Sequence, residues 1–218
     1  MFMHDKKLLQ DVKVQKTNPQ YAVMLQEQLG GANGELTAGL QYMSQSFRVL
    51  DPQIKDMMLD IAAEEFSHME MVATTINLLN GQDVDVNRVG VGEIETQVLT
   101  GLAPLLVNAS GDPWTAHYVN ETGDLVADLL SDLAAEQRAK VVYEYLHRQI
   151  NDPEVRKTID FLLNREEAHN QLFRQALARV AQTGSNRDFG VTPDSKLYFN
   201  LSQPGKYFDM PQHPTPPH

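Results

Sequence analysis

The stretches that decide the fold of this chain read EEFSHMEM at residues 64–71 and REEAH at residues 165–169. Each stretch carries a Glu that is followed three residues later by a His. On a helix, two such residues are separated by about 60° of rotation and about 4.5 Å of rise, so both side chains can face one ion. A shift of 101 residues superimposes one pair on the other. The sequence therefore predicts two half-bundles that repeat one pattern.

The same shift relates two further acidic residues, Glu35 and Glu136. Four helices would then bring four carboxylates and two imidazoles to one level of a core, the ligand set of ferritin-like di-iron and di-manganese proteins. Buried carboxylates need compensating charge, and two divalent ions would supply it. Oxygen and imidazole ligands suit Mn or Fe, and these residue types do not decide between the two. We predict a dinuclear metal site from Glu35, Glu65, His68, Glu136, Glu166 and His169.

Prolines next to Asn or Asp divide the chain into stretches with helical periodicity, which we predict as helices at residues 20–49, 53–80, 122–149 and 153–182. In the first stretch, Gly30, Gly31 and Gly34 each cost about 1 kcal/mol in a helix interior, and close backbone approach near a site is a candidate reason for them. Residues 81–121 show no sustained period, so helices two and three are expected to run in parallel. The fold class is therefore all-α, a ferritin-like four-helix bundle with a long crossover.

The chain divides into a bundle at residues 1–182 and a tail at residues 183–218 that is rich in proline and aromatic residues. A solvated linker does not need aromatic rings, so we predict an extended C-terminal arm that packs on its own bundle or on a neighbouring subunit. Disorder of the last eight residues is the alternative that the composition leaves open.

Composition limits the possible functions. The chain has 218 residues, no cysteine and a formal net charge of -11. The lack of cysteine excludes disulfide scaffolds, thiolate metal sites and cysteine nucleophiles. The negative charge argues against nucleic acid and anionic membrane surfaces as partners. No run of about 18 apolar residues predicts a membrane span, and the start lacks the apolar region of a signal peptide, so we expect a cytoplasmic protein.

Other acidic residues near these motifs serve as controls. Glu144 and His147 form a third Glu-x-x-His pair, but they lie off the apolar seam and have no partner under the shift of 101 residues. We expect this pair to be solvated, together with Glu64, Glu70 and Glu167. Tyr42 and Tyr143 are related by the shift, and each could donate a hydrogen bond to a metal-binding carboxylate or simply be a buried tyrosine.

Taken together, these motifs resemble the manganese catalase family. The resemblance includes GGANGEL at residues 30–36 and AAE at residues 134–136 besides the two stretches quoted first, and it covers about residues 1–182. WTAHY at residues 114–118 also resembles the family. The same resemblance extends to shorter spore-coat relatives.

The resemblance implies two Mn ions per chain, with Fe as the alternative. It implies that Glu35 and His68 hold one ion, that Glu136 and His169 hold the other, and that Glu65 bridges them. Glu166 would lie just outside as a proton-relay group, and with Tyr42 it forms our predicted catalytic pair. Some members carry an Arg where this chain has Ala135, a departure that bears on the peroxide channel.

The implied reaction is the disproportionation of hydrogen peroxide, in which one peroxide is reduced to water and a second is oxidised to dioxygen. The resemblance also implies a homo-hexamer whose C-terminal arms wrap neighbouring subunits. Two alternatives compete with this enzyme: a ferritin-like di-iron oxidase, and a structural protein of the spore coat that binds metal for stability. The coat is accordingly the alternative location to the cytoplasm.

Overall fold

The computed structural model describes residues 3–81 and 103–183, and every regular element in these ranges is a helix. The all-α prediction is therefore confirmed. The helices predicted at 53–80, 122–149 and 153–182 are also confirmed, with ends that differ by at most three residues. The elements are α1 (Pro19–Gly30), α2 (Glu35–Ser46), α3 (Pro52–Asn80), a 3-10 turn (Ala116–Tyr118), α4 (Leu125–Gln149) and α5 (Pro153–Thr183).

Side-chain caps fix the starts of the helices. Asn18 and Asp51 accept hydrogen bonds from backbone amides of the first turns of α1 and α3. Asp124 and Asp152 do the same for α4 and α5. Three of these residues precede a proline, whose ring presets a helical φ angle and which has no amide hydrogen to satisfy. The Asn/Asp-Pro pairs thus set where these helices begin.

The prediction of one helix over residues 20–49 is wrong, because the chain breaks at residues 31–34 and α2 ends at Ser46. Glycine permits close approach of the backbone at this break. A Cβ on Gly30 would lie 2.5 Å from the Val107 amide nitrogen, and one on Gly34 would lie 2.6 Å from the Gln28 carbonyl oxygen. The glycines therefore lie at the junction rather than in a helix interior, and Glu35 becomes the first residue of α2.

Two hydrophobic cores fill the two ends of the bundle. The core at the α1 end joins α1 to the C-terminal halves of α3 and α4 and the N-terminal half of α5. The core at the α2 end joins α2 to the N-terminal halves of α3 and α4 and the C-terminal half of α5. Because Met58 and Leu129 belong to one core while Ile76 and Leu146 belong to the other, α3 and α4 run in parallel. This confirms the predicted topology.

The described part of the crossover, residues 103–124, packs along α1 and α2. Gln26 on α1 donates to the Leu105 carbonyl (3.0 Å), and the Trp114 indole donates to the Thr37 hydroxyl (2.9 Å). The predicted C-terminal arm, residues 184–218, lies outside the described residues, so the division into bundle and arm stays a prediction. None of the helices in the described ranges is both long and apolar enough to cross a membrane.

Candidate metal centre

All six residues predicted as a metal site lie together between the two hydrophobic cores. Glu35 begins α2, Glu136 lies in the middle of α4, and each Glu-x-x-His pair lies in the middle of α3 or α5. Each of the six side chains is at most 2% exposed. The spacing of three residues within α3 and α5 turns both side chains of each pair inward, as the helical geometry predicts.

The possible ligand atoms form two overlapping groups. One group contains Glu35, Glu65, His68 and Glu166, and the other contains Glu65, Glu136, Glu166 and His169. Within each group, one nitrogen or oxygen atom from each residue lies within 4.8 Å of the others. Two carboxylates, those of Glu65 and Glu166, belong to both groups. The geometry thus offers two neighbouring ion positions with shared ligands.

Glu65 occupies the middle of the centre. Its Oε2 lies 3.1 Å from Nδ1 of His68, and its Oε1 lies 2.7 Å from Nδ1 of His169. The two imidazole rings stack with centroids 5.6 Å apart. The two oxygens of one carboxylate therefore face the two histidines separately, which is the disposition that a bridging ligand needs.

Burial is the largest influence on two of the carboxylates, Glu35 and Glu166, and it raises the pKa of both. It raises the pKa of Glu35 to about 8 against partial opposition from His68. Burial and the neighbouring carboxylates of Glu136, Glu65 and Glu35 raise the pKa of Glu166 well above its usual range. Both groups therefore hold a proton more tightly than a solvated glutamic acid does. Without metal, the centre reduces its negative charge by keeping protons.

Burial acts on the pKa of the two histidines in the opposite direction, but their contacts with carboxylates outweigh it. Burial lowers the pKa of His68, but contacts with Glu35, Glu64 and Glu65 outweigh burial and raise it well above the ordinary value. For His169, contacts with Glu136, Glu64 and Glu65 outweigh burial and raise the pKa to about 12. The imidazolium protons balance carboxylate charge that divalent ions would balance instead.

The residues fit a pair of divalent ions. Glu136 Oε2 and Glu166 Oε1 are buried and accept no hydrogen bond from the part of the chain that the structure describes. Unpartnered buried oxygens are costly and need an ion, a proton or a water molecule. Four carboxylates and two imidazoles, without thiolate, are donors that Mn and Fe accept.

Tyr42 and Tyr143 contact the centre in a crossed arrangement. The Tyr42 hydroxyl donates to Glu136 Oε1 at 2.6 Å, and the Tyr143 hydroxyl donates to Glu35 Oε1. Each tyrosine thus contacts the lone Glu of the other half-bundle. Both rings are fully buried. This geometry favours a role in holding the carboxylates over that of ordinary core tyrosines.

The expectation that Glu64 is solvated is wrong. Its side chain is 25% exposed and lies 3.4 Å from Nε2 of His68 and 3.3 Å from Nε2 of His169. Arg165 donates to both of its oxygens, at 2.5 Å and 3.2 Å. These contacts outweigh burial and hold the pKa of Glu64 well below its usual range. The sequence contains a signal for this pair, because the shift of 101 residues relates Glu64 to Arg165, a residue of opposite charge.

The other control residues lie on the surface as predicted. Glu144 pairs with Arg148, and His147 pairs with Asp160. Glu70 and Glu167 are 44% and 50% exposed and pair with His4 and Lys140. A Glu-x-x-His spacing alone therefore does not make a site in this chain. The seam and the repeat are both needed.

Comparison with known proteins identifies the family to which this chain is similar. Residues 1–206 match the family described as manganese containing catalase. The chain is 68% identical over 219 residues to a probable manganese catalase of Clostridium acetobutylicum, which covers 100% of this chain and 97% of the relative. It is 38% identical to protein CotJC of Bacillus subtilis over 81% of this chain and 93% of that protein.

A solved structure supports the same grouping. The crystal structure of KatB, a manganese catalase from Anabaena PCC7120, matches with a TM-score of 0.77 and 40% sequence identity. The match covers 83% of this chain and 81% of that chain. The similarity therefore extends over most of this chain.

Proposed function

The chain belongs to the manganese catalase family, and on that premise we propose that it converts two molecules of hydrogen peroxide into two of water and one of dioxygen at a pair of Mn ions. The observation that carries the proposal is the pair of overlapping ligand groups, whose six residues are all buried. Such a set could bind two ions in one water-poor site, where a metal pair can exchange two electrons with a small substrate.

Five residues would hold the ions. Glu35 and His68 would bind one ion, Glu136 and His169 would bind the other, and Glu65 would bridge them. The contacts of the rings support binding through Nδ1, since Nδ1 of each histidine faces Glu65 while Nε2 faces Glu64. A histidine ligand whose other nitrogen meets a carboxylate is held in one tautomer and one orientation.

The bound Mn pair would supply the chemistry of the reaction by accepting two electrons from one peroxide and returning them to the next. The residues must handle the protons, because oxidation of one peroxide releases two protons and reduction of the other consumes two. Glu166 is suited to this task. Its Oε1 accepts no hydrogen bond from the described residues, and its raised pKa lets the carboxyl group hold a proton. We assign it as the proton-relay residue.

Tyr42 would position a ligand while the protons move. Its hydroxyl engages Glu136 Oε1. Glu136 Oε2 is then left for the ion. A carboxylate held by one oxygen binds metal with a fixed orientation of the other. Tyr143 would do the same for Glu35.

The decisive experiment measures metal content and oxygen evolution on one purified sample. We expect about two Mn per chain and rapid oxygen release from peroxide, as the shared ligand groups favour. Glu65→Gln should lose both, while the matched variant Glu70→Gln, on the same helix but 44% exposed, should retain both. Iron at that stoichiometry with little oxygen would favour a di-iron oxidase. Bound Mn without turnover would favour a structural protein of the spore coat.

Assembly and location remain proposals that rest on resemblance. The family and the aromatic tail support a homo-hexamer with C-terminal arms on neighbouring subunits. Truncation after Thr183 should then lower the assembly state, measured by light scattering, and an unchanged hexamer would refute the role of the arm. We propose a cytoplasmic location, and the similarity to protein CotJC supports the spore coat as the alternative.

A further inference from the structure

A row of acidic residues leads along α4 away from the metal centre. Asp128, Asp132 and Glu136 follow one another at intervals of four residues, so they lie on one face of the helix. Asp132 is fully buried, one turn from Glu136. Its Oδ1 accepts a hydrogen bond from Gln41 at 2.9 Å, while its Oδ2 accepts none from the described residues. A polar group that the proposed chemistry does not use thus lies beside the centre.

A second unused acceptor lies on the facing helix, α2. Gln45 is 1% exposed and donates to the Asn120 carbonyl at 2.7 Å, but its Oε1 accepts no hydrogen bond within the described ranges. The backbone N–H of Asn120 in turn donates to Gln41 Oε1 at 2.8 Å. Buried acceptors without a donor are normally satisfied by water. We call Asp128, Gln45, Gln41 and Asp132 the polar file.

The polar file begins at a cavity. An open cavity of about 170 Å³ at the end of α2 is lined by Gln45 and Asp128, together with Arg48, Asp51, Gly123 and Leu125. This volume holds several water molecules. From the cavity, the polar groups lead inward through Asp132 to Glu136 and Tyr42 at the centre. A series of polar side chains therefore lies between the cavity and the candidate metal ligands.

The repeat shows that the polar file is not a by-product of the bundle. The shift of 101 residues relates Tyr to Tyr and the lone Glu to the lone Glu. It relates Gln41 to Val142 and Gln45 to Leu146, so these polar residues have apolar counterparts in the other half. Leu146 lies in the hydrophobic core of the α1 end. The two halves therefore agree at the metal centre and differ on the way out of it. The polar side chains lie at the α2 end of the bundle, which is also where the cavity lies.

We propose that the polar file is the passage by which hydrogen peroxide reaches the centre and water leaves it. The inference rests on the proposed function and deepens it. Hydrogen peroxide is small and neutral, and it can both donate and accept hydrogen bonds, so it can bond to Gln45 Oε1 and to the buried carboxyl group of Asp132. A molecule that moves between such groups exchanges one hydrogen bond for another and avoids complete desolvation at each step.

The test replaces the lone acceptors with apolar side chains of similar shape. The variants are Gln45→Met and Asp132→Leu, with Asp132→Asn as the conservative replacement that keeps a hydrogen-bonding side chain. Gln28→Met is the matched control, because Gln28 is also fully buried with a lone Oε1 but lies on α1, outside the polar file. Elemental analysis first establishes equal Mn content in all samples.

Two measurements then report on passage. In the first, the relaxation rate of bulk water protons per bound Mn(II) measures water exchange at the ions without any turnover. In the second, steady-state kinetics separate kcat/KM for peroxide from kcat. We expect Gln45→Met and Asp132→Leu to slow water exchange and to lower kcat/KM about three- to tenfold, the effect of one lost hydrogen bond. kcat should change less, Gln28→Met should behave like the parent, and Asp132→Asn, which keeps a hydrogen-bonding side chain, should lose less than Asp132→Leu.

Unchanged water exchange and kcat/KM in both apolar variants would overturn the proposal, as would an equal loss in Gln28→Met. If either apolar variant fails to fold, the other decides. A parent protein that binds Mn and releases no oxygen would refute the catalase proposal alone. In that case, slower water exchange in the variants would still establish the passage as a route for water.

Discussion

The α1 end and the α2 end of the bundle meet at the same centre, yet they leave it in different ways. At the α2 end, the residues beyond Tyr42 on α2 and before Glu136 on α4 include the polar side chains Gln45 and Asp132, which lie between a cavity and the centre. At the α1 end, the residues beyond Tyr143 on α4 include Leu146 and Ile150, which belong to a hydrophobic core. The two halves thus share the same residue types at the metal centre. They differ in the residues that lead away from it.

The difference also separates stability from chemistry. Apolar packing at the α1 end excludes water and stabilises the helices through burial of hydrophobic surface. Buried amides and carboxyls at the α2 end contribute less of this stabilisation and need partners. A structure that served stability alone would gain from apolar side chains at both ends. Buried amides also occur at the α1 end, in Gln26 and Gln28. The polar side chains at the α2 end differ because they lie between a cavity and the centre.

The largest expected effect comes from removing the residue that the two halves share. Glu65→Gln removes a charge that faces both histidines, so Mn affinity should fall at least about a hundredfold, the upper range for residues that only support ligands. Oxygen evolution should be lost with it. Calorimetric titration of the metal-free protein with Mn(II) measures the affinity. An affinity equal to that of Glu70→Gln would remove Glu65 from the ligand set.

A large effect of pH is expected for the metal-free protein. Glu35 has a pKa of about 8 in the fold against an ordinary 4.5, so between these values the folded state holds a proton that the unfolded chain has lost. Stability therefore falls as pH rises from about 5 to 8, by about 1.4 kcal/mol per pH unit for each such proton. The raised pKa values of His68 and His169 act in the same direction above about pH 6.5.

Bound Mn should reverse this trend, because ions replace the protons and metal affinity rises as ligands deprotonate. Thermal denaturation at several pH values, with and without Mn(II), measures both slopes. Glu35→Gln should flatten the slope of the metal-free protein. A metal-free protein that becomes more stable as pH rises would contradict the protonated centre.

The centre could be predicted from the sequence because its determinants are local and repeated. The spacing of three within each Glu-x-x-His pair fixes the facing of the side chains, and the shift of 101 residues distinguishes these pairs from Glu144 and His147. The Asn/Asp-Pro pairs likewise placed helix starts, since caps act within one turn. What depends on neighbours within a turn was therefore available from the chain alone.

Other features depend on contacts between distant segments. The break at residues 31–34 reflects the approach of Val107 to Gly30. The prediction that Glu64 is solvated is wrong because Glu64 lies off the seam of α3, whereas its hydrogen-bond donor, Arg165, comes from α5. The importance of Asp132 appears only when Gln41 and Gln45 of α2 lie against it. Periodicity reports which face of a helix is inward and does not report which residues meet there.

A smaller effect is expected from Glu64, which contacts the outer nitrogens of both histidines. Glu64→Gln should lower Mn affinity about tenfold, the lower range measured for such partners. The matched variant Glu167→Gln, which removes a half-exposed carboxylate, should not. Calorimetric titration with Mn(II) compares the two. Equal affinities would show that Glu64 only pairs with Arg165.

The smallest expected effect, and the most informative one, comes from replacing the two tyrosines and comparing the variants. Tyr42→Phe and Tyr143→Phe each remove one hydrogen bond to a lone Glu, so each should cost about 1 kcal/mol of stability. If the ends were equivalent, both variants would also lower kcat/KM equally. Because the polar file reaches the centre beside Tyr42, we expect a larger loss of kcat/KM in Tyr42→Phe at equal Mn content. An equal loss in both variants would restore the symmetry of the two ends and leave the cavity at the α2 end without a part in the reaction.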